Sequence, residues 1–364
     1  MKLKILSLFT VLILSSCISV NVSENKVDAT YTSTDKPKNI ILLIGDGMGL
    51  SQVSAGLYYN TEKSNFERFN QIGLIKTSAS GDLITDSAAS ATAYSAGIKT
   101  YNGAIGVKQD TTAVETIVET VSKNGLATGL VATSSIVHAT PGSFYAHVKK
   151  RYLYEEIASY LPTSAIDFFA GGGLQYFNKR KDNKNLLDEL SANDFEVITS
   201  NLPETTSDKK QAILLAENGM PRMLDGRGDF LPKATQLALD HLSKNEAGFF
   251  LMVEGSQIDW GGHNNDADYL ISEQIDFDKT VGIALDYARK NKNTLVIVTA
   301  DHETGGFTLA ADGSDYNTIK PSFSTGGHST SMVPVFAEGP GKSLFSGIFE
   351  NTELHSKMVQ LFSN

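Results

Sequence analysis

The chain has 364 residues, of which 41% are hydrophobic and 20% are charged. This composition is typical of a globular protein with enough length for a large core. The formal net charge of −10, with no long run of lysine and arginine, argues against nucleic-acid binding as a function. A protein of this charge that handles anions must concentrate positive charge locally.

The N-terminus has the pattern of a secretory signal. A basic start precedes an apolar run over residues 5–14, which is too short to cross a bilayer comfortably, and Ser15-Ser16-Cys17 follows. This order resembles a bacterial lipoprotein signal, in which the cysteine is lipidated. We therefore predict a signal peptide over residues 1–16, a lipid anchor at Cys17 and a periplasmic or cell-surface location, with a released soluble form as a further possibility. An ordinary signal peptide with a chance cysteine is the alternative.

The chain beyond the signal divides into a polar segment and one long domain. Residues 17–38 are rich in Ser, Thr, Asn, Lys and Asp and predict a flexible tether. Residues 39–364 show no internal repeat and no second linker, so we expect a single domain. Cys17 is the only cysteine, so an intrachain disulfide is impossible and the domain must be stabilised by other means, such as metal.

The domain alternates apolar, β-branched runs with segments of helical spacing. The predicted strands are Asn39–Ile44, Ala127–Thr133, Gly248–Val253 and Thr294–Thr299. The predicted helices include Thr112–Asn124, Tyr152–Leu161, Leu231–Leu242 and Leu270–Lys290. This alternation predicts an α/β fold with a mainly parallel central sheet. In such sheets ligands bind beyond the carboxyl ends of the strands, so functional residues are expected there.

The first strand ends in Gly45-Asp46-Gly47-Met48-Gly49. The glycines permit a tight turn and a close approach of the backbone. The pattern lacks the lysine and the spacing of a Walker phosphate loop. It does place one carboxylate, that of Asp46, at the end of the strand.

The stretch from Ile84 to Gly103 places Ser87 directly after Asp86 and before a run of small residues. One interpretation makes Ser87 a helix N-cap with a structural role. The other makes it a nucleophile at a helix N-terminus, where backbone N–H groups favour negative charge. No histidine adjoins Ser87, so a nucleophile here would need a metal ion to favour its alkoxide.

The third strand is followed by the sequence EGSQIDWGGH, which supplies Glu254, Asp259 and His263. If a helix follows the strand, Asp259 and His263 are i and i+4 on one face. A carboxylate and an imidazole at this spacing suit a zinc ion.

The fourth strand is followed by Asp301-His302-Glu303, and a later glycine turn supplies His328. A lone histidine in a loop is more often a packed or surface residue than a ligand, but here the pattern recurs at several strand ends. Carboxylates that converge on one edge would repel each other without cations, so multivalent metal ions are the natural counter-charge. These carboxylates belong to Asp46, Glu254, Asp259 and Asp301.

Six motifs together resemble the bacterial alkaline phosphatases, in their compact marine or cold-water form. They are GDGMG, TDSAASATAYSAGIKTYNGAIGV, HATPGSFYAHVKKR, EGSQIDWGGH, TADHETGG and STGGH. They stand in the order of that family and extend from Asn39 to about Pro340. The resemblance implies a three-layer sandwich with helices on both sides of the sheet, two Zn²⁺ and one Mg²⁺ per subunit, and a homodimer.

The resemblance also implies roles for individual residues. Ser87 would be the phosphate-accepting nucleophile, and Arg151, eleven residues after Thr140, would hold the phosphate. The implied metal ligands are Asp301 and His302 for the zinc beside Ser87; Asp259, His263 and His328 for the other zinc; and Glu254 and Thr140 for magnesium, with Asp46 bridging a zinc site and the magnesium site.

Other polar residues near these motifs carry further expectations. His138 stands where some members of the family have aspartate, and Trp260 stands where many have lysine or histidine. Since the Trp260 indole carries no charge, we expect weaker phosphate binding than in a lysine-bearing relative. Asp86 is expected to have a structural role or to orient Arg151. Asp276 and Asp278 are expected to be solvated or to cap a helix.

The sequence therefore predicts an enzyme that hydrolyses small phosphate monoesters through a phosphoserine on Ser87 and scavenges phosphate outside the cytoplasm. A phosphodiesterase or a sulfatase of the same superfamily is the first alternative, although residues 87–91 lack the sulfatase signature. A lipoprotein that only binds phosphate or metal is the second alternative.

Overall fold

The computed structural model describes residues 36–362. The predicted signal peptide, the lipidation site at Cys17 and the tether up to residue 35 lie outside the described residues and stay predictions. Among the described residues, no helix combines the length and the hydrophobicity that crossing a lipid bilayer requires.

The described residues form fourteen strands, and ten of these build a β-sheet at the centre of the fold. The strands in chain order are β1 (Asn39–Gly45), β2 (Gln71–Lys76), β3 (Ala127–Ser135), β4 (Phe168–Gly172), β5 (Phe195–Ile198), β6 (Lys210–Leu214), β7 (Phe249–Gly255), β8 (Thr294–Thr299), β9 (Glu303–Thr304), β10 (Thr308–Asp312), β11 (Asp315–Ser322), β12 (His328–Ser329), β13 (Val333–Glu338) and β14 (Gly347–Glu350). The order across the sheet is β14-β2-β13-β8-β1-β7-β3-β4-β6-β5. Only β13 runs antiparallel to its neighbours in this sheet.

Helices flank the sheet. They are α1 (Leu50–Tyr59), α2 (Ser87–Ala96), α3 (Ile117–Lys123), α4 (Ala139–Gly142), α5 (Tyr154–Ala158), α6 (Gln175–Asn178), α7 (Leu186–Ala192), α8 (Phe230–Leu242), α9 (Gln257–His263), α10 (Ala267–Lys290) and α11 (Asn351–Phe362). The predicted α/β fold with a mainly parallel central sheet between helices is confirmed.

The central position of β1 follows from its sequence, which is apolar on both faces. Each of its residues is buried. Its register pairs Ile44 with Glu254 of β7 and with Thr299 of β8. Because these parallel strands end level with one another, the residues that follow them emerge side by side at one edge of the sheet.

The four predicted strands agree with the structure to within two residues at each end. The predicted helices are less accurate. The helix expected over residues 112–124 begins only at Ile117, because Thr116 and Glu119 form a capping box there. The helix expected over residues 152–161 is the short α5.

The expectation that Asp276 and Asp278 are solvated or capping residues is wrong for Asp276. Asp278 does cap a helical turn, since its carboxylate accepts hydrogen bonds from the backbone N–H groups of Asn65 and Phe66 at the start of the 3₁₀ helix Asn65–Arg68. Both side chains are buried within α10. Asp276 accepts a hydrogen bond of 2.8 Å from Arg227, and Asp278 accepts one of 2.6 Å from Ser64. Distant segments supply these partners, so helical periodicity could not reveal them.

The Phe277 side chain of α10 supports the two strand ends that begin the functional edge. This ring is fully buried. A methyl group added at Gly255 would lie 2.6 Å from Phe277 Cδ2, and one added at Gly45 would lie 3.1 Å from Phe277 Cε1. A side chain at Gly255 would meet this ring, and one at Gly45 would meet both the ring and Met48, so glycines end these two strands.

Replacing Gly255 with alanine is expected to lower the free energy of unfolding by about 1–3 kcal/mol, because the added methyl group would overpack against the ring. The same substitution should cost less in a Phe277→Leu background, where the smaller side chain leaves room. Urea unfolding of the four proteins in this double-mutant cycle measures the coupling. Equal penalties in both backgrounds would contradict a role for the ring.

Candidate active site

The turn after β1 brings Asp46 next to the residues that follow β8. Gly47 adopts a left-handed φ of 76°, and its N–H donates a 3.1 Å hydrogen bond to Asp301 Oδ1. The N–H of His302 donates a second bond of 3.0 Å to the same oxygen. Asp46, Asp301 and His302 are all completely buried. The backbone thus fixes one oxygen of Asp301 and leaves the other facing the site.

Ser87 is the first residue of α2 and lies against this group. Asp86, not Ser87, caps the helix, since Asp86 Oδ1 accepts a 2.9 Å bond from the N–H of Ala89. The N-cap interpretation of Ser87 is therefore wrong. Its hydroxyl is free of that role, and Ser87 Oγ lies 3.2 Å from His302 Nε2.

His302 Nε2 is the point on which the first predicted zinc group converges. It lies 3.5 Å from Asp46 Oδ1 and 3.2 Å from Asp301 Oδ2. Both oxygens of Asp46 and Oδ2 of Asp301 are buried and have no hydrogen-bond partner among the described residues. Buried carboxylate oxygens without donors are costly unless a cation binds them. This donor set therefore fits a metal ion.

The second predicted zinc group lies beside the first. Asp259 and His263 share one face of α9, as their spacing predicts, and the glycine turn before β12 adds His328. Asp259 Oδ1 lies 3.4 Å from His263 Nε2 and 3.6 Å from His328 Nε2. The His302 ring stacks on the His328 ring with 3.5 Å between the ring centroids, so the two groups are contiguous.

The outer nitrogens of two histidines bind backbone carbonyls. His263 Nδ1 lies 2.7 Å from the carbonyl oxygen of Gly326, and His328 Nδ1 lies 2.8 Å from that of Thr85. Only a protonated Nδ1 can donate to a carbonyl, so in the neutral form of each ring Nε2 presents a lone pair to the site. The two Nε2 atoms are 3.2 Å apart. Two facing lone pairs repel each other, and a shared cation removes that repulsion.

Thr304 assigns the same tautomer to His302, although sequence reasoning missed this residue. Its Oγ1 lies 2.5 Å from Asp259 Oδ1 and 3.2 Å from His302 Nδ1. The single hydroxyl proton goes to the carboxylate, so Oγ1 accepts from His302 Nδ1 and leaves Nε2 unprotonated. Thr304 lies in the TADHETGG motif, but a threonine has no side-chain feature that distinguishes it from a structural residue.

The third group lies on the other side of Asp46. Ligand atoms of Asp46, His138 and Glu254 lie within 4.8 Å of one another. Glu254 Oε2 accepts a 3.1 Å bond from Ser134, whereas Glu254 Oε1 and Thr140 Oγ1 have no partner among the described residues. The predicted magnesium ligands Asp46 and Glu254 are thus together, and His138 adds an imidazole nitrogen to them.

The electrostatics of the site also favour cations. Burial raises the pKa of Asp46 well above its usual value, and the nearby carboxylates of Asp301, Asp259 and Glu254 raise it further. Burial raises the pKa of Glu254 to about 7. Burial also lowers the pKa of His302 well below its usual value, which keeps the imidazole neutral. Without positive counter-charge, the carboxylates are destabilised in their ionised form.

Arg151 brings positive charge to the opening beside Ser87. Its Nη1 donates a 2.9 Å hydrogen bond to Asp86 Oδ2, and both side chains are mostly buried. Asp86 therefore has both of the roles expected of it, since one oxygen caps α2 and the other orients Arg151. The Trp260 ring lies edge-on to the His138 ring, with 6.0 Å between centroids.

The family model described as alkaline phosphatase matches residues 37–324. Alkaline phosphatase 3 of Bacillus subtilis is 42% identical over 296 residues, which are 77% of this chain and 64% of that protein. Alkaline phosphatase 4 of the same organism is 39% identical over 86% of this chain and 72% of its own length. The chain thus spans somewhat under two thirds of the first relative and more of the second.

Among solved structures, the chain is similar to the alkaline phosphatase of the Antarctic bacterium TAB5. A histidine-to-aspartate variant of that enzyme, with Mg bound in its M3 site, is 56% identical to this chain. The match covers 90% of this chain and 98% of the variant, with a TM-score of 0.89.

Removing divalent metal ions with a chelator is expected to lower the melting temperature of the protein by several degrees, because the buried carboxylates and lone pairs lose their counter-charge. The Asp46→Asn substitution should reduce this difference, since it removes a buried charge shared by two groups. Differential scanning calorimetry with and without Zn²⁺ and Mg²⁺ measures the effect. Identical melting temperatures for the chelated and metal-supplied protein would exclude bound metal.

Proposed function

The chain belongs to the alkaline phosphatase family of phosphomonoesterases, and we propose that it hydrolyses phosphate monoesters through a phosphoserine formed on Ser87. One observation carries this proposal: Ser87 Oγ lies 3.2 Å from His302 Nε2, beside carboxylate oxygens that have no hydrogen-bond partner among the described residues. The Ser87 hydroxyl therefore lies beside the cluster of carboxylate and imidazole atoms that is best suited to bind cations.

The donor types support two zinc ions and one magnesium ion per subunit. Mixed carboxylate and imidazole ligands in the first two groups suit zinc. Oxygen ligands from Asp46, Glu254 and Thr140 suit magnesium, as does the Mg bound in the related TAB5 variant. The nitrogen of His138 lowers this preference, because magnesium favours oxygen ligands. Metal ions bound by these groups would stabilise the serine alkoxide and the leaving oxygen and activate water.

The residues of the chain perform the remaining tasks of the reaction. α2 presents Ser87 at its N-terminus, where the helix dipole favours negative charge on the hydroxyl oxygen. Arg151 binds two phosphate oxygens through parallel hydrogen bonds and is held in place by Asp86. The neutral Trp260 adds no charge, so we expect looser binding of the phosphate product than in a relative with lysine there.

The reaction has two displacement steps. In the first, Ser87 Oγ attacks phosphorus, the phosphorus–oxygen bond to the alcohol breaks, and the alcohol takes up a proton. In the second, water attacks the phosphoserine, the bond from phosphorus to Ser87 Oγ breaks, and inorganic phosphate leaves. Ser87 is regenerated, so the net reaction consumes one water per ester.

The biological setting follows from the N-terminal residues. We propose that the protein is lipid-anchored through Cys17 or released outside the cytoplasm, and that it scavenges phosphate there. We also propose a homodimer, as the family resemblance implies. The membrane is a partner only through the lipid anchor.

The proposed activity is tested by measuring p-nitrophenol release from three substrates. These are the phosphate monoester, the phosphate diester and the sulfate ester of p-nitrophenol. We expect fast turnover of the monophosphate, little turnover of the other two, and loss of activity with chelator that Zn²⁺ and Mg²⁺ restore. Faster turnover of the diester would support the phosphodiesterase alternative, and recovery with Ca²⁺ alone would contradict zinc.

The Ser87→Ala variant is the matched control. It should fold and bind metal like the parent protein but form no acid-stable phosphoenzyme, and its activity should fall by several orders of magnitude. Full activity in this variant would refute the nucleophile assignment while leaving the metal groups intact.

Asp86→Asn separates the two roles of this residue. Asparagine keeps the N-cap, so the melting temperature should stay close to that of the parent protein. Loss of the carboxylate that holds Arg151 should raise the inhibition constant of inorganic phosphate by about threefold to tenfold. Asp86→Ala should show the same inhibition constant together with lower stability. Unchanged phosphate inhibition in both variants would show that Asp86 does not orient Arg151.

A further inference from the structure

A cavity of about 500 Å³ opens beside the second metal group. Its walls include Met220, Arg222, Gln257, Trp260, His263 and Tyr269. A cavity of this volume matches the size of a small-molecule site. Most of the residues that line it have no role in the metal groups or the phosphate site described above.

The inner end of the cavity adjoins the reaction centre. His263, which lines the cavity, directs Nε2 toward His328 Nε2 at 3.2 Å. Trp260, which also lines it, lies edge-on to His138 of the third group. These two residues are i and i+3 on α9, so they share one side of that helix. His263 and Trp260 therefore border both the cavity and the candidate metal groups.

The aromatic walls are held in fixed positions. Gly219 lets the Trp260 ring approach the backbone, since a methyl group at this glycine would lie 2.7 Å from Trp260 Cη2. The Tyr269 hydroxyl donates a 2.7 Å bond to Gln257 Oε1, and Gln257 Nε2 donates a 2.8 Å bond to the carbonyl of Met220. The polar atoms of Tyr269 and Gln257 are thus used within the wall, so these two side chains offer surface rather than unmet hydrogen bonds.

Buried charges anchor the outer wall to α10. Arg227 is buried and pairs with Glu273 and with Asp276. Glu273 Oε1 also accepts a 2.9 Å bond from the N–H of Met223. These contacts fix the segment that carries Met220 and Arg222, so the cavity is a preformed feature of the fold.

Arg222 and Asp225, which line the cavity, pair with each other, so the cavity does not require a charged ligand. The Arg222 guanidinium lies 5.1 Å from the centre of the Tyr269 ring and pairs with Asp225 through an Nε–Oδ2 contact of 2.6 Å. The guanidinium charge is thus compensated, and its flat face extends the aromatic wall. Flat walls of this kind favour a planar, uncharged ring.

We propose that this cavity is a subsite for the alcohol portion of the substrate and that it prefers esters of aromatic alcohols. This inference rests on the proposed function, because it places the phosphate beside Ser87. Trp260 and Arg222 determine the preference, since they provide the exposed faces on either side of the cavity.

Benzyl phosphate and ethyl phosphate test the subsite, because both release alcohols of similar acidity and only one carries a ring. We expect kcat/KM for the benzyl ester to exceed that for the ethyl ester. Trp260→Ala should reduce this ratio by about threefold to tenfold, and Trp260→Phe should restore most of it. Arg222→Ala should also reduce the ratio, and no folding defect is expected because the Arg222 side chain is 42% exposed.

Competitive inhibition by benzylphosphonate and ethylphosphonate provides a second measurement that is independent of the chemical step. The same variants should weaken benzylphosphonate selectively. Tyr316→Ala is the control, because Tyr316 is 90% exposed on β11 and does not line the cavity. It should leave both ratios unchanged.

The outcomes separate the subsite from the proposed function. If the parent protein hydrolyses both esters and Trp260→Ala and Arg222→Ala leave the ratios unchanged, the subsite is refuted and the phosphatase function stands. If the parent protein hydrolyses neither ester, the proposed function fails, and selective binding of benzylphosphonate would still test the cavity.

Discussion

The structure depends on one electrostatic constraint, which is the burial of several carboxylates and unprotonated imidazole nitrogens at one edge of a parallel sheet. Asp46, Asp301 and His302 are completely buried, and the free oxygens of the two carboxylates face His302 Nε2 without a donor among the described residues. Such an arrangement is unfavourable for the protein alone and favourable around cations. The free energy that binds metal therefore also stabilises the fold of this edge.

The surrounding fold orients these groups through contacts that do not themselves touch a metal. Thr304 and two backbone carbonyls hold the outer nitrogens of His302, His263 and His328, so in the neutral rings the inner nitrogens present lone pairs. Phe277 fills the space beneath the glycines that end β1 and β7. Asp86 caps α2 and holds Arg151 with its second oxygen. The orientation of the candidate ligands and of Arg151 thus depends on the residues that surround them.

The short helix α9 links the reaction centre to the neighbouring cavity. Its Asp259 and His263 belong to the second predicted zinc group, while Trp260 forms a wall of the cavity. In the proposed reaction, one helix therefore positions both the groups that would favour departure of the alcohol and the ring that would contact it. Binding energy from the ring can then assist the step at phosphorus, which is how remote contacts increase the rate of a reaction.

The sequence by itself determined the strand ends and the residue types placed there, because apolar β-branched runs and the glycine turns after them are local features. It also identified Asp46, Asp259 and Asp301 as candidate ligands. Tertiary structure alone decided the burial of Asp276 and Asp278, whose partners Arg227 and Ser64 lie far away in the chain. It alone decided the tautomers of the histidines and the walls of the cavity, since both arise from contacts between segments that no periodicity connects.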